Sequence, residues 1–313
     1  MRIAVFGTGG IGGYFGGRLA KAGLPVVFVA RGEHLRALRR EGLHVESVAG
    51  DFTVRPVHAT DDAAAAGAAD FVLLAVKSWQ VHEAARALLP SLGPDTAVVT
   101  LQNGVEAPWQ LAEVVGRERV LPGTVRVFSQ VAGPGHVRHG GGPGSIAFGE
   151  WDGRESGRVR RLRDAFAGAG VPVETPDDVQ AALWRKFLFV VPMGGIGAVA
   201  RAPVGVLRSM PGTRRLLEEA MREILAVARA RGVALPADGV EETMAFVDAQ
   251  PAAGTSSLQR DLAAGRRSEL DAWVGAVVRF GEQAGVDVPV HRFVHACLLP
   301  LEARARREVE FAD

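Results

Sequence analysis

A glycine-rich turn near the N-terminus has the residue types and the spacing to bind the phosphates of a dinucleotide. The residues that fit the pattern G-x-G-x-x-G are Gly7, Thr8, Gly9, Gly10, Ile11 and Gly12. An apolar run, Ile3–Phe6, precedes them, and an amphipathic stretch follows. In that context the first glycine permits a tight turn, the second lets the backbone approach a pyrophosphate, and the third lets the helix pack closely on the sheet. The sequence therefore predicts a dinucleotide site in which helix N–H groups hold the phosphates.

The residue that follows the second predicted strand indicates which dinucleotide is bound. That strand covers Val26–Ala30 and is followed by Arg31. NAD sites usually carry Asp or Glu at this point for the ribose 2′-hydroxyl, whereas an arginine can pair with the 2′-phosphate of NADP. We therefore predict NADP(H). NAD stays as the alternative because Glu33 lies nearby.

Two later strands also end in polar residues. Lys77 follows the apolar run Phe71–Val76, with Gln80 three residues further on, and Asn103 follows the next buried run. Ligands of open α/β sheets bind at the carboxyl ends of the strands, so we expect Lys77 near the cofactor and Asn103 near both cofactor and substrate. Their rarity supports this, since the chain has three lysines and one asparagine. The alternative is a structural cap at each strand end.

The second half of the chain carries a lysine, a hydroxyl cluster and a carboxylate that could do chemistry together. Lys186 is followed by the apolar run Phe187–Pro192, and partial burial suits a lysine to act as a general acid. The hydroxyl cluster Thr255–Ser257 is followed, after a Gly-Arg turn, by Ser268–Asp271. These segments could form a polar pocket rim. Capping of a helix that starts near Ser268 is the alternative role for Glu269.

The elements that position these residues differ between the two halves of the chain. In the first half, short apolar strands alternate with helical patterns, which is typical of a parallel sheet covered on both faces. The stretch Leu43–Val57 looks like an antiparallel insertion, and residues 121–150 read as further strands and loops. From Asp178 onwards the chain has long helical patterns, at Val179–Val191, Ser209–Arg231, Ala237–Ala249, Arg267–Ala284 and Val290–Arg306. We predict an α/β protein, with a Rossmann-type dinucleotide-binding domain over residues 1–177 and an all-α domain over residues 178–313.

The composition excludes several classes of protein. The chain has 313 residues, 36 basic and 35 acidic, so it has no basic surface for nucleic acid or anionic lipid. A single cysteine excludes a disulfide framework and agrees with a reducing compartment. No apolar run approaches the roughly 20 residues that span a bilayer, and the N-terminus lacks the features of a signal peptide. We expect a cytoplasmic protein with no nucleic-acid or membrane partner.

Three residues near the C-terminus were weighed as metal ligands. His291 and His295 lie four residues apart on a predicted helix, and Cys297 follows. Such spacing can chelate a metal, but no third histidine or carboxylate ligand is evident. We therefore expect no metal site. We expect Cys297 to be a small buried apolar residue.

Taken in order, these segments resemble the ketopantoate reductase (2-dehydropantoate 2-reductase) family over nearly the whole chain. The resembling pieces are FGTGGIGG, Arg31, AVKSWQ, LQNGVE, WRKFLF and TSSLQRDLAAGRRSELD. The resemblance implies NADPH-dependent reduction of a 2-oxo acid in a cleft between the two domains. Its leading substrate would be ketopantoate, reduced to pantoate in pantothenate and coenzyme A biosynthesis. The long helical faces could also support a homodimer.

The resemblance implies a role for each polar residue named above. Lys186 would be the general acid that protonates the carbonyl oxygen, and Glu269 would position Lys186 and the substrate hydroxyl. Ser257 would bind the substrate carboxylate, and Asn103 would bridge substrate and cofactor. The 2′-phosphate end of NADP would be held by three side chains: Arg31, Lys77 and, close by, Gln80.

The chain departs from the family at three positions. Family members usually carry Asn one helical turn after the catalytic lysine and twice more soon after, where this chain has Val190, Gly194 and Val204. We therefore predict a less polar and more open pocket around Val190–Gly197. A substrate without the pantoate hydroxyls would suit such a pocket. The alternatives to ketopantoate are another 2-oxo acid and a non-catalytic NADP(H)-binding sensor.

Overall fold

The computed structural model describes residues 1–311 and divides the chain into two compact units. The first unit runs from Met1 to Ala182, and the second begins at Leu183, inside one long helix. Each unit is described by itself below.

The first unit alternates strands and helices. In chain order its elements are β1 Ile3–Phe6, α1 Gly10–Lys21, β2 Val26–Val29, α2 Gly32–Glu41, β3 Leu43–Ser47, β4 Phe52–Val54, β5 His58–Thr60, β6 Phe71–Leu74, α3 Val81–Leu88, β7 Ala97–Thr100, α4 Ala107–Val115, β8 Val120–Leu121, β9 Gly123–Gly133, β10 His136–Phe148, α5 Gly157–Gly168 and β11 Val173–Glu174. The strands predicted at Val26–Ala30 and Phe71–Val76 are confirmed to within two residues.

Six of these strands form a parallel sheet in the order β5-β2-β1-β6-β7-β8. In its centre, Ile3 of β1 lies opposite Val26 on one side and Phe71 on the other. All residues of β1, β6 and β7 are buried, as expected of strands covered on both faces. The predicted Rossmann-type architecture is confirmed.

A second, smaller sheet was only partly predicted. Strands β3 and β4 pair antiparallel, as the pattern of Leu43–Val57 indicates. The region 121–150, however, forms one long hairpin of β9 and β10, and β3 joins β10 in parallel. Helix α1 packs against both sheets. A methyl group on Gly13 would lie 2.7 Å from the Val137 side chain of β10, and one on Gly16 would lie 2.7 Å from Phe28 of β2.

The second unit is helical, as predicted. Its elements are α6 Val179–Ala200, which begins in the first unit, α7 Val204–Ser209, α8 Pro211–Ala230, α9 Gly239–Asp248, α10 Ser257–Ala263, a π-helical turn Asp271–Gly275 that leads into α11 Ala276–Ala284, and α12 Pro289–Ala305. The short helices α7 and α10 were not predicted.

Helix α6 differs from its prediction in length. It was expected to end at Val191, yet it continues through Pro192 to Ala200. Proline in a helix interior costs about 3 kcal/mol, but Val191, Met193 and Ile196 around it are buried and offset that cost. We expected no apolar segment long enough to span a membrane, but the longer α6 reaches that length and apolar composition. Its most apolar window has a mean hydropathy of 1.3, and 61% of that window is buried inside the protein, as in a core helix.

Candidate active site

The turn between β1 and α1 is held by contacts that only glycine permits. Gly7 has φ +96°, and a methyl group there would lie 2.8 Å from the backbone nitrogen of Val76. A methyl group on Gly12 would collide with the carbonyl oxygen of Gly7. The amides of Gly7 and Thr8 donate to the carbonyl of Val29 at 3.3 and 3.2 Å. The Thr8 hydroxyl donates to the same oxygen at 3.0 Å, so both donors of Thr8 are used to hold the turn on β2.

The opposite side of the turn is open. Gly9 is the N-cap of α1, and no atom lies within 4 Å of the position that its Cβ would take. No acidic residue occurs in the first turn of α1. An open backbone face at a helix N-terminus binds phosphate well, because the first N–H groups have no partner within the helix. The turn therefore fits the pyrophosphate of a dinucleotide.

Arg31 lies just after β2, as the N-cap of α2. Its Nη2 atom is 3.8 Å from Oε1 of Glu83, and the two side chains are 71% and 72% exposed. Because both side chains are so exposed, this ion pair contributes little to stability. Arg31 can therefore leave Glu83 and bind a phosphate instead.

Lys77 and Gln80 lie at the end of β6. Gln80 closes a short 3₁₀ turn, and its Oε1 accepts a hydrogen bond from the amide of Lys77 at 3.4 Å. The Lys77 ammonium is 5.8 Å from the centre of the Trp79 ring. Gln80 thus braces the backbone that carries Lys77.

Gln102, which sequence reasoning missed, ties together two strand ends. Its buried side-chain amide donates to the carbonyls of Leu74 and Val76 at 2.9 and 3.1 Å. The half-buried Asn103 is the next residue. The only signal for Gln102 in the sequence was its position beside Asn103.

The strand order gathers these residues along one edge. Strands β2, β1, β6 and β7 are consecutive neighbours and run in the same direction. Their carboxyl ends carry Arg31, the glycine turn, Lys77 and Asn103 respectively. The first unit thus brings its predicted site residues to the edge where open α/β sheets bind ligands.

His34 also contacts this region and had no sequence signal. Its Nδ1 accepts a hydrogen bond from the amide of Gly135 at 3.1 Å, which joins α2 to the β9–β10 connection. Burial lowers the pKa of His34, and backbone groups of Thr8 and Gly133 partly oppose that shift. The imidazole is therefore kept neutral beside the glycine turn.

In the second unit the three predicted residues lie on different segments. Lys186 is half-buried on α6 between the buried residues Trp184 and Phe187. Ser257 is the first residue of α10, and the hydroxyl of the preceding Ser256 accepts the cap hydrogen bond from the amide of Gln259. Glu269 is buried and stands just before the helical segment that starts at Leu270.

These three segments meet at Gly194. A methyl group there would lie 2.8 Å from the Trp273 ring and 3.3 Å from the Leu258 side chain. Gly194 lies two turns after Lys186 on α6, and Leu258 follows Ser257. The Trp273 amide donates to the carbonyl of Glu269 at 3.0 Å, which places Trp273 one turn after Glu269.

The expectation of a more open pocket around Val190–Gly197 is wrong at its glycines. The Trp273 ring fills the space beside Gly194, and the Val294 side chain would lie 2.9 Å from a methyl group on Gly195. Gln259 fills the space beside Gly197 in the same way, at 2.6 Å. Within residues 1–311, the indole Nε1 of Trp273 is buried without a hydrogen-bond partner. The region is less polar, as expected, but closely packed.

One of the residues weighed as metal ligands, His291, is paired with a carboxylate. Nδ1 of His291 lies 2.6 Å from Oε2 of Glu223. Cys297 is exposed, so the prediction of a buried cysteine is wrong. Among the described residues 1–311, no three His, Cys, Asp or Glu side chains form a group that could hold a metal ion.

Comparison with known proteins shows the family to which the chain belongs. The family model described as ketopantoate reductase PanE/ApbA matches residues 3–153, and the model of its C-terminal part matches residues 178–302. This chain belongs to the ketopantoate reductase family. A 2-dehydropantoate 2-reductase of Halobacterium salinarum is 37% identical over 93% of this chain and 96% of its own length.

Solved structures extend the likeness to the fold. A ketopantoate reductase of the same family from Ralstonia eutropha has a TM-score of 0.90 and 38% identity, covering 98% of this chain and 100% of that chain. A ternary structure of D-mandelate dehydrogenase with NADH and anilino(oxo)acetate has a TM-score of 0.87 at 21% identity, covering 98% of this chain and 99% of that chain. At that identity the second match shows the fold alone.

Neutral His34 should give the stability of the protein a measurable pH dependence. In the unfolded chain it takes up a proton near its ordinary pKa of 6.5, whereas the folded chain does so only at lower pH. Its contribution is therefore complete above the ordinary pKa and is lost as the pH falls through the folded-state pKa. We expect the Tm of the wild type to fall more steeply than that of His34→Gln from about pH 7 to about pH 5.

The control is His58→Gln, at an exposed histidine of β5, which should follow the wild-type curve. Parallel curves for His34→Gln and wild type would contradict the assignment.

Proposed function

We propose that this protein reduces a 2-oxo acid to the 2-hydroxy acid with NADPH. Ketopantoate, reduced to pantoate for pantothenate and coenzyme A biosynthesis, is the first candidate. The observation that carries the proposal is the meeting of the segments of Lys186, Ser257 and Glu269 at Gly194. We assign cofactor binding to residues 1–177 and substrate binding to residues 178–313.

We also propose a cytoplasmic enzyme that forms a homodimer. The exposed side chains of Met210, Phe246 and Phe293 give the helical unit apolar surface for a second copy. The single cysteine, free and exposed, agrees with a reducing compartment.

The residues at the sheet edge would hold the cofactor. The backbone of the turn Gly7–Gly12 would bind the pyrophosphate, and Arg31 and Lys77 would bind the 2′-phosphate end. Gln80 keeps the backbone of Lys77 in place. When bound, NADPH supplies the hydride for the reduction.

The polar residues supply the rest of the chemistry. As the 2-oxo group is reduced, negative charge develops on its oxygen, and the Lys186 ammonium stabilises that charge and gives up the proton. Glu269 holds the lysine and a substrate hydroxyl, and Ser257 holds the substrate carboxylate. Asn103 orients the substrate against the cofactor. Holding the reactants in one geometry lowers the barrier further.

Lys186→Ala should abolish turnover and leave NADPH binding intact. Loss of a general acid typically costs about 10²–10⁴-fold in kcat. Lys186→Arg should fail as well, because a guanidinium does not release a proton near neutral pH. The neighbouring exposed Arg185→Ala is the matched control and should keep its activity.

The readout is NADPH oxidation with ketopantoate and simple 2-oxo acids. A Lys186→Ala variant within twofold of wild type would contradict the role of the lysine. If none of the 2-oxo acids tested supports NADPH oxidation by the wild type, a non-catalytic NADP(H)-binding protein is favoured instead.

Arg31→Ala should raise KM for NADPH about 10–100-fold, the cost of one charge-assisted hydrogen bond, and leave KM for NADH nearly unchanged. Arg40→Ala, at the other end of α2 with a side chain 76% exposed, is the control. Steady-state kinetics with both cofactors measures the effect. An equal rise for NADH would contradict a 2′-phosphate role.

A less polar 2-oxo acid is the second candidate substrate. It is favoured by the contact between Trp273 and Gly194, since an indole ring occupies the position where the family usually carries an amide. A substrate hydroxyl facing that ring loses its hydrogen bonds to water without regaining them, which costs about 1–3 kcal/mol.

A matched substrate pair separates the two candidates. Ketopantoate and 3,3-dimethyl-2-oxobutanoate differ only in one hydroxyl group. If Trp273 selects against that hydroxyl, Trp273→Leu should raise kcat/KM for ketopantoate relative to the dimethyl compound by about tenfold. Leu298→Ile, a change at a buried leucine on α12, should leave the ratio unchanged. An unchanged ratio in Trp273→Leu would remove this residue from substrate selection.

A further inference from the structure

Glu302 is a fully buried carboxylate, 0% exposed, near the C-terminal end of α12. Its Oε2 accepts hydrogen bonds from the amide and the hydroxyl of Ser268, at 2.9 and 2.5 Å. Its Oε1 accepts one from Nε of Arg306 at 2.8 Å. A buried charge is strongly destabilising unless it is paired and hydrogen-bonded, and here three donors satisfy it.

These bonds fix the backbone on both sides of Glu269. Ser268 directly precedes Glu269, and residues 266–268 have no regular secondary structure. The Ser268 hydroxyl also accepts a hydrogen bond from the amide of Leu270 at 3.3 Å. Glu302 and Ser268 thus form a clamp that holds the residues before and after Glu269 to α12.

The clamp has a feature that stability alone does not explain. A buried ionic network can often be replaced by apolar side chains with no loss of stability. The carboxylate of Glu302 adds an orientation that apolar side chains cannot supply, because one of its oxygens accepts hydrogen bonds from both the amide and the hydroxyl of Ser268. A shift of about 1 Å in a positioned group can lower a rate about 10²-fold.

We infer that Glu302 is a positioning residue for the reduction, acting through Ser268 on Glu269. The inference rests on the proposed function, in which Glu269 holds the substrate hydroxyl and Lys186. Glu302 itself touches neither substrate nor cofactor in this account.

The carboxylate that holds the other end of α12 offers a matched control. Glu223 on α8 is a carboxylate with a side chain 10% exposed, and it accepts hydrogen bonds from the amides of Val290 and His291 at 2.8 and 3.1 Å. It anchors the N-terminal end of α12, whereas Glu302 lies one turn from its C-terminal end. Loss of Glu223 should therefore weaken the packing of α12 without releasing Ser268.

The test compares Glu302→Ala, Glu302→Gln, Ser268→Ala and Glu223→Gln in the full-length protein, at a temperature well below the lowest Tm. We expect kcat in Glu302→Ala to fall about 10²-fold with Kd for NADPH within twofold of wild type. Glu302→Gln should recover part of that loss, because its amide oxygen can still accept from Ser268. Glu223→Gln should lower Tm and keep kcat.

Two results would overturn the inference: a folded Glu302→Ala with wild-type kcat, or the same loss of kcat in Glu223→Gln. If Glu302→Ala does not fold, Ser268→Ala decides, with an expected loss of about tenfold. An unchanged kcat in that variant overturns the role.

Amide hydrogen exchange at residues 268–270 reports the clamp without any turnover. It should be faster in Ser268→Ala than in wild type and unchanged in Glu223→Gln. Unaltered exchange in Ser268→Ala rejects the clamp, whereas a wild type inactive with every 2-oxo acid rejects the reductase function.

Discussion

The absence of side chains at Gly12, Gly13 and Gly16 of α1 is the constraint on which the first unit depends. Gly12 touches the carbonyl of Gly7, Gly13 faces the second sheet and Gly16 faces the first, each at a distance that excludes a methyl group. Because the helix is fixed between two sheets, its first turn is held at the carboxyl edge of the parallel sheet. The strand order then places Arg31 and Lys77 beside it. Close packing of backbone thus determines where the charged groups stand.

Close packing at a glycine also shapes the second unit, where a tryptophan ring fills the space beside it. At Gly194 the missing side chain is replaced by the Trp273 ring, and α6, α10 and the π-helical turn meet there. A π-helical turn is often found at functional sites because it changes the direction of the side chains around it. Apolar packing therefore brings together the segments that carry Lys186, Ser257 and Glu269.

Local patterns predicted much of this from the sequence, and long-range contacts account for what was missed. The strand, the glycine turn and the helix start at Ile3–Gly12 are determined within ten residues, so they were predictable. The hairpin β9–β10 was read as strands and loops because its sheet depends on β3, about ninety residues earlier. Gly194 was read as open space because Trp273, which fills that space, comes 79 positions later in the chain. Gln102 and Glu302 act through backbone groups distant in sequence, for which no local motif exists.

The central claim is that hydrogen passes from NADPH to the carbonyl carbon of a 2-oxo acid on this protein. Reaction of the purified wild type with NADPH deuterated at the transferring position, followed by mass spectrometry of the product, tests it most directly. The account predicts a 2-hydroxy acid that carries deuterium on C2, in an amount equal to the NADPH consumed. Consumption of NADPH without a labelled hydroxy acid, or no consumption with any 2-oxo acid, would contradict it.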